Sequence, residues 1–301
     1  MKRSFISPMI IITCGLTLAA CGGASVSTSN ASGKTNGNAR KVTPNRIIPI
    51  PAGTNSGSSP LPNGTMWVVA GNPASKGLFQ IDLSSGKVVA SVSVSNAASS
   101  VAQSPTGEIG LGLATPSGGG AIEFHSGTTG KVLGTVALPG KVVGLAAGSD
   151  GTKFFALTKV GAASSVEIVQ DTTSKILATI PAPKGSVAVA VTPNEQHIYT
   201  VNSSGTATEI AVSNGQIDGQ FPVGHSARAI SISPDGSLMY VLKGQGNVRN
   251  IAVVNLAKES VTAALPAAAN SVAIVGSPNG SFLYDIVGDS SLGNIQVIKL
   301  S

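Results

Sequence analysis

Three histidines, at positions 125, 197 and 225, and two cysteines, at 14 and 21, are the residues of this 301-residue chain best suited to acid–base, nucleophilic or metal chemistry. Their placement argues against a shared centre. His125 ends an apolar run, His197 follows a turn and His225 sits in a loop, so they map to different ends of different units. A metal site needs several ligands converging about 2 Å from the ion, and no His, Asp and Glu cluster has that spacing. A lone histidine is more often a satisfied surface or packing residue. There is no Gly-x-Ser-x-Gly elbow, phosphate loop or calcium loop. Aromatic residues make up 4% of the chain and no haem-attachment motif occurs, which disfavours quinone and haem; no cofactor is expected. The one local pair whose types suit chemistry is His225 with Arg228.

The elements that would position such residues follow from a repeat. Six tight turns, Pro62-Asn63-Gly64, Pro105-Thr106-Gly107, Ser149-Asp150-Gly151, Pro193-Asn194-Glu195, Pro234-Asp235-Gly236 and Pro278-Asn279-Gly280, are each followed by a short apolar run. The spacings between their third residues are 43, 44, 44, 41 and 44. A period near forty means propeller blades. In the clearest unit, Arg228 to Ser233 alternates, Pro234-Asp235-Gly236 turns, and Leu238 to Leu242 runs apolar; Ile251 to Leu256 and Val261 to Pro266 complete a four-stranded blade. The third-to-fourth turn recurs as Leu83-Ser84-Ser85-Gly86-Lys87, Ser126 to Lys131, Asp171 to Lys175 and Ser213-Asn214-Gly215, where Gly and Asn supply positive φ.

The fold class expected is therefore all-β: a β-propeller of six four-stranded blades over residues 46–301, rather than seven. The last unit ends after its third strand, Ile295 to Leu300, and Arg46 to Pro51 supplies the missing one, closing the ring and removing two exposed sheet edges. Over this span the chain resembles the YVTN family of β-propeller repeats, carried by Val191-Thr192-Pro193-Asn194 and Tyr199-Thr200-Val201-Asn202 and echoed by Tyr240-Val241-Leu242-Lys243. Phe155, Tyr199, Tyr240 and Tyr284 share one second-strand position, which Val68 and Leu111 occupy in the first two units, and read as core; Trp67 is then on the opposite strand face.

With the first strand innermost, the Pro-x-Gly turns and third-to-fourth turns gather at one end of the ring and the remaining loops at the other. Lys76, Lys141, Lys159, Lys184, Arg228, Lys243 and Arg249 fall at the loop end, with Asp289 the acid that joins them. Glu108, Asp150, Asp171, Glu195, Asp235 and Glu259 fall at the turn end. The expectation is a polarised disc whose positive face draws an anionic sugar, a phosphate or an acidic protein segment towards the channel. His225 and Arg228, with Lys141 and Lys184 at matching positions, are the candidate ligand-binding residues. Propeller enzymes such as lactonases and streptogramin lyases place His, Glu and Arg around the channel mouth, and His225 with Arg228 is similar to that arrangement as a pair only. A non-catalytic binding or scaffold module is preferred; the alternatives are such an enzyme and an accessory subunit of an envelope complex.

Met1-Lys2-Arg3, the apolar stretch Phe5 to Leu18 and Leu18-Ala19-Ala20-Cys21 resemble a bacterial lipoprotein signal. The resemblance implies cleavage after residue 20, acylation of Cys21, including palmitate, and a lipid-anchored extracytoplasmic protein on the cell membrane or outer membrane. Residues 21–45 then read as the acylated cysteine and a Ser/Gly/Asn tether that cannot form a core. Cys14 leaves with residues 1–20, so no disulfide is expected in the folded body. Of 19 Lys and Arg, five lie at positions 2, 3, 34, 40 and 41; fourteen remain against 13 acids, a balance of about +1 that gives no argument for nucleic acid. A monomer is expected, with the membrane, an anionic small molecule or glycan, or an envelope protein as partners.

Overall fold

In the computed structural model, residues 46–300 are described except 72–75, 95–96, 116–117, 172, 289–290 and 292. The expected signal and tether, with Cys21, and Asp289 lie outside the described residues. Twenty-four strands form six four-stranded antiparallel sheets. Blade 1 is β2 (Thr54–Gly57), β3 (Thr65–Ala70), β4 (Gly77–Asp82) and β5 (Val88–Val92). Blade 2 is β6 (Ala97–Gln103), β7 (Glu108–Ala114), β8 (Gly120–Ser126) and β9 (Val132–Leu138). Blade 3 is β10 (Lys141–Ala147), β11 (Lys153–Val160), β12 (Ala163–Gln170) and β13 (Lys175–Ala182). Blade 4 is β14 (Ser186–Val191), β15 (His197–Asn202), β16 (Thr206–Ala211) and β17 (Ile217–Pro222). Blade 5 is β18 (Ala227–Ile232), β19 (Leu238–Gln245), β20 (Val248–Asn255) and, after a 3-10 turn at Leu256–Lys258, β21 (Ser260–Pro266). Blade 6 is β22 (Ser271–Gly276), β23 (Phe282–Gly288), β24 (Gly293–Lys299) and β1 (Arg46–Pro49).

The ring closes as the repeat requires: β1 pairs antiparallel with β24, Arg46 opposite Val297 and Ile48 opposite Ile295. The pairing buries Ile48 and Ile50 in the wedge between blades 6 and 1; each contributes roughly 2 kcal/mol of apolar burial. The core is six such wedges, one between each pair of adjacent blades. A second strand is therefore covered on both faces, and β3 is buried at all six positions. That is why these segments read as continuous apolar runs instead of alternating ones.

The register corrects one expectation. Phe155, Tyr199, Tyr240 and Tyr284 do share a position and face the following blade, but Trp67 and Gly110 hold it in blades 1 and 2, not Val68 and Leu111. Trp67 is 1% exposed and packs towards blade 2, whereas Val68 packs towards blade 6. The cause is turn length. The hairpin is closed by Leu61 N–H to Thr65 O and Ser104 N–H to Glu108 O in the first two blades, but by Gly148 to Lys153, Thr192 to His197, Ser233 to Leu238 and Ser277 to Phe282 in the others. One residue fewer in the turn shifts a count from the turn by one, and a one-residue shift changes the face. At Gly110 the missing side chain is replaced by the next blade's Phe154, whose ring packs 5.3 Å from that of Phe124.

Among the described residues no helix is long and apolar enough to cross a membrane.

Candidate ligand site at the channel mouth

Each innermost strand carries a bulge at the same place, between Thr54/Ser56, Ala98/Ser100, Val142/Gly144, Ser186/Ala188, Ala227/Ala229 and Ser271/Ala273. A bulge leaves one residue unpaired and re-aims its side chain. The six unpaired residues, Asn55, Ser99, Val143, Val187, Arg228 and Val272, all line a 150 Å³ cavity at the loop end of the channel. Arg228 is the one charged group in this lining.

The polar members are used differently. Asn55 Nδ2 donates to Ala98 O at 3.2 Å, and Ser99 Oγ lies 2.9 Å from Val142 O, so both brace neighbouring blades. Arg228 donates from Nη2 to Gly244 O at 3.2 Å, while its buried Nε–H has no partner. Arg249, at the start of β20, donates from Nη1 to Ser271 O and likewise has an unpartnered buried Nε–H. Burial, then the nearby Arg228 charge, pull the Arg249 pKa down, against an upward pull from Asp285.

Asp285 is the third member of this group. It is 0% exposed, in a second-strand position held elsewhere by Val68, Leu111, Ala156, Thr200 and Val241. Oδ2 accepts hydrogen bonds from Ala268 N–H and Ser271 Oγ–H, both at 2.9 Å, and Oδ1 has no partner. Burial raises its pKa, outweighing those two hydrogen bonds and Arg249. Two neighbouring guanidiniums at the mouth can bind an oxyanion, because a guanidinium presents its N–H groups as a planar fork.

Of the four residues singled out in the sequence, the structure brings only Arg228 into the channel lining. His225 is an exposed residue of the loop before β18. Lys141, the first residue of β10, and Lys184, in the turn before β14, are also exposed and outside that lining. Arg249 stood among the loop-end cations without being singled out. Asp285 was missed; the signal available was an acid inside an apolar second-strand run.

The histidines lie apart. His125 is buried, 2.9 Å from both Gly130 O and Glu123 Oε1. His197 lies at the turn end beside a 330 Å³ cleft between blades 4 and 5, its Nε2 3.4 Å from Asp218 and its Nδ1 3.8 Å from Glu209. Tyr199 donates to Glu209 at 2.6 Å there, and burial followed by that bond raises its pKa. Among the described residues no three His, Cys, Asp or Glu side chains are grouped so as to hold a metal ion. The opposite mouth is a 410 Å³ bowl ringed by Pro62, Pro105, Pro193, Pro234 and Pro278 from the tight turns.

No family model matches the chain, and no curated protein matches it. Solved structures do. One is the hydrazine synthase of Kuenenia stuttgartiensis, with a TM-score of 0.61 over 84% of this chain and 76% of that one, at 15% identity. At that identity the likeness shows the six-bladed propeller fold alone.

Proposed function

We propose that this chain is a non-catalytic binding or scaffold module that takes an anionic ligand, a small oxyanion or the acidic group of a glycan or protein, at the loop-end mouth of its channel. The observation that carries the reading is the bulged Arg228, the one charged residue in a lining otherwise free of charge, with Arg249 beside it. In a narrow, partly dry site such a charge attracts an anion more strongly than a solvated surface lysine does. His225, Lys141 and Lys184 sit further out at the same end and serve, in this reading, to draw anions towards the mouth. The N-terminal resemblance supports a module outside the cytoplasm, tethered through acylated Cys21.

Calorimetric titration of the purified chain with inorganic phosphate and with succinate, at low and high salt, tests this. The expected result is binding that weakens with salt and falls at least tenfold in both Arg228→Ala and Arg249→Ala. Affinity unchanged by either substitution would exclude the mouth as the site.

A further inference from the structure

The outer rim differs between blades in a way that the fold does not require. Strands β5, β9, β13, β17 and β21 each carry a bulge at the same place against their inner neighbours. The extra residue is Val89, Leu133, Leu177, Asp218 or Thr262, and each is exposed. In blades 1 to 3 it is a large apolar side chain, 54, 57 and 51% exposed, preceded by the exposed Val88, Val132 and Ile176 and by the exposed Lys87, Lys131 and Lys175. This Lys-apolar-apolar triplet recurs at intervals of 44 residues. Blades 4 and 5 carry Gln216-Ile217-Asp218 and Ser260-Val261-Thr262 instead. Single exposed apolar residues are ordinary, but the same pair in three successive blades makes a patch.

Neighbouring blades meet close to the triplets. Gly130, just before Lys131, lies against Val92 of β5, and Gly134 of β9 lies against Ser174, just before Lys175. Gly86, just before Lys87, lies against Ile48 and Pro49 of β1. The chain enters the ring beside them: Arg46 donates from Nη1 to Leu83 O and from Nη2 to Ser84 O, in the turn that leads into Lys87. None of the three lysines is ion-paired among the described residues. Asp82, held ionised at about 2 by hydrogen bonds from Ser84 and Ser85, is the acid in the blade 1 turn.

We infer that the rim of blades 1 to 3 is an interfacial surface that rests on an anionic lipid bilayer. The apolar pairs sit at the level of the headgroups and the lysines reach the lipid phosphates, since long basic side chains lay their stems along apolar surface and keep their charge at the polar layer. A protein partner would account for the apolar pairs. The lysine beside every pair, and the entry of the chain at the same sector, favour lipid. This surface is separate from the channel mouth, and the inference stands or falls without it.

Hydrogen exchange of the full chain on phosphatidylglycerol vesicles, compared with phosphatidylcholine vesicles and with no vesicles, tests the inference. Exchange over residues 87–92, 131–138 and 175–182 should slow at least fivefold on the anionic vesicles and recover at high salt, while residues 217–222 and 260–266 stay unchanged. The Val89→Asp, Leu133→Asp, Leu177→Asp triple variant, which gives blades 1 to 3 the residue type found at Asp218, should lose the effect. Lys87→Gln, Lys131→Gln, Lys175→Gln, a change of charge at exposed positions, should weaken it severalfold with β3, β7 and β11 still protected. Equal protection of the five bulged outer strands, or none in the first three, would overturn the inference. So would concentration-dependent protection without vesicles, which would assign the rim to a second copy of the chain.

Discussion

Both ends of the ring join blades through polar groups, but buried polar atoms without a partner gather mostly at the loop end. At the turn end, Thr106 Oγ1 donates to Gly151 O at 3.1 Å, Glu195 accepts from Asp150 N–H at 2.9 Å, and Lys153 bridges Asp150 and Glu195. Burial pulls the Asp150 pKa up, but hydrogen bonds from Lys153 and Thr152 outweigh it and hold the group at about 2. At the loop end, Arg228, Arg249, Asn250 and Asp285 each keep a buried polar atom without a partner. Unmade hydrogen bonds in a buried setting cost stability, about 1–3 kcal/mol each, and in the function proposed above the loop-end groups are the ones an anion would engage.

Four changes would break or sharpen this contrast. The largest effect is expected on closure, which both ends need. Deleting residues 46–52 removes β1 and the buried Ile48 and Ile50, and should lower the melting temperature by about 10 °C or more; an unchanged melting curve would refute the closure. Gly110→Ala comes next. Its Cβ would lie 2.7 Å from the Phe154 ring, so the variant should lose about 1–3 kcal/mol of stability in denaturant unfolding.

The third concerns a carboxyl at the turn end. Half-buried Glu108 is raised to about 7 by desolvation, then by the charge of Asp171 and a hydrogen bond with it. The folded chain holds this proton above the ordinary glutamate value of 4.5, so stability falls as pH rises from about 4.5 to 7 and levels off beyond. Glu108→Gln should flatten that stretch of the stability profile and gain, after discounting for solvent screening, about 1 kcal/mol at pH 8. Unfolding curves that keep the wild-type pH dependence would contradict the assignment. The fourth is its counterpart at the mouth. Asp285 is also raised, with burial the leading cause, so its ionisation opposes folding as pH rises. Asp285→Asn should leave stability unchanged at low pH and increase it slightly in alkaline buffer, while altering anion affinity through Arg249; a pH profile identical to wild type would remove Asp285 from the site.

The architecture was legible in the sequence because it rests on repetition. The tight turns gave the blade number, and the incomplete last unit gave the pairing of Arg46–Pro49 with β24. Register within a strand was less legible. A turn one residue shorter in blades 1 and 2 moves Trp67 and Gly110 into a position that counting assigns to Val68 and Leu111. The candidate site was legible only at Arg228. A bulge has no signature in a run such as Ala227-Arg228-Ala229-Ile230, and Asp285 becomes a partner of Ser271 and Arg249 only once blade 6 lies against blade 5. Charge counting pointed to the loop end of the ring, but exposed Lys141, Lys184 and His225 look the same in sequence as the residue that lines the channel.

The most direct test of the account follows the guanidinium Nε–H resonances of Arg228 and Arg249 while inorganic phosphate or succinate is added to the folded chain. Slow-exchanging signals that shift together and saturably, before those of exposed lysines, are the predicted result. Shifts confined to surface lysines, with both Nε–H signals unmoved, would contradict an anion site at the loop-end mouth.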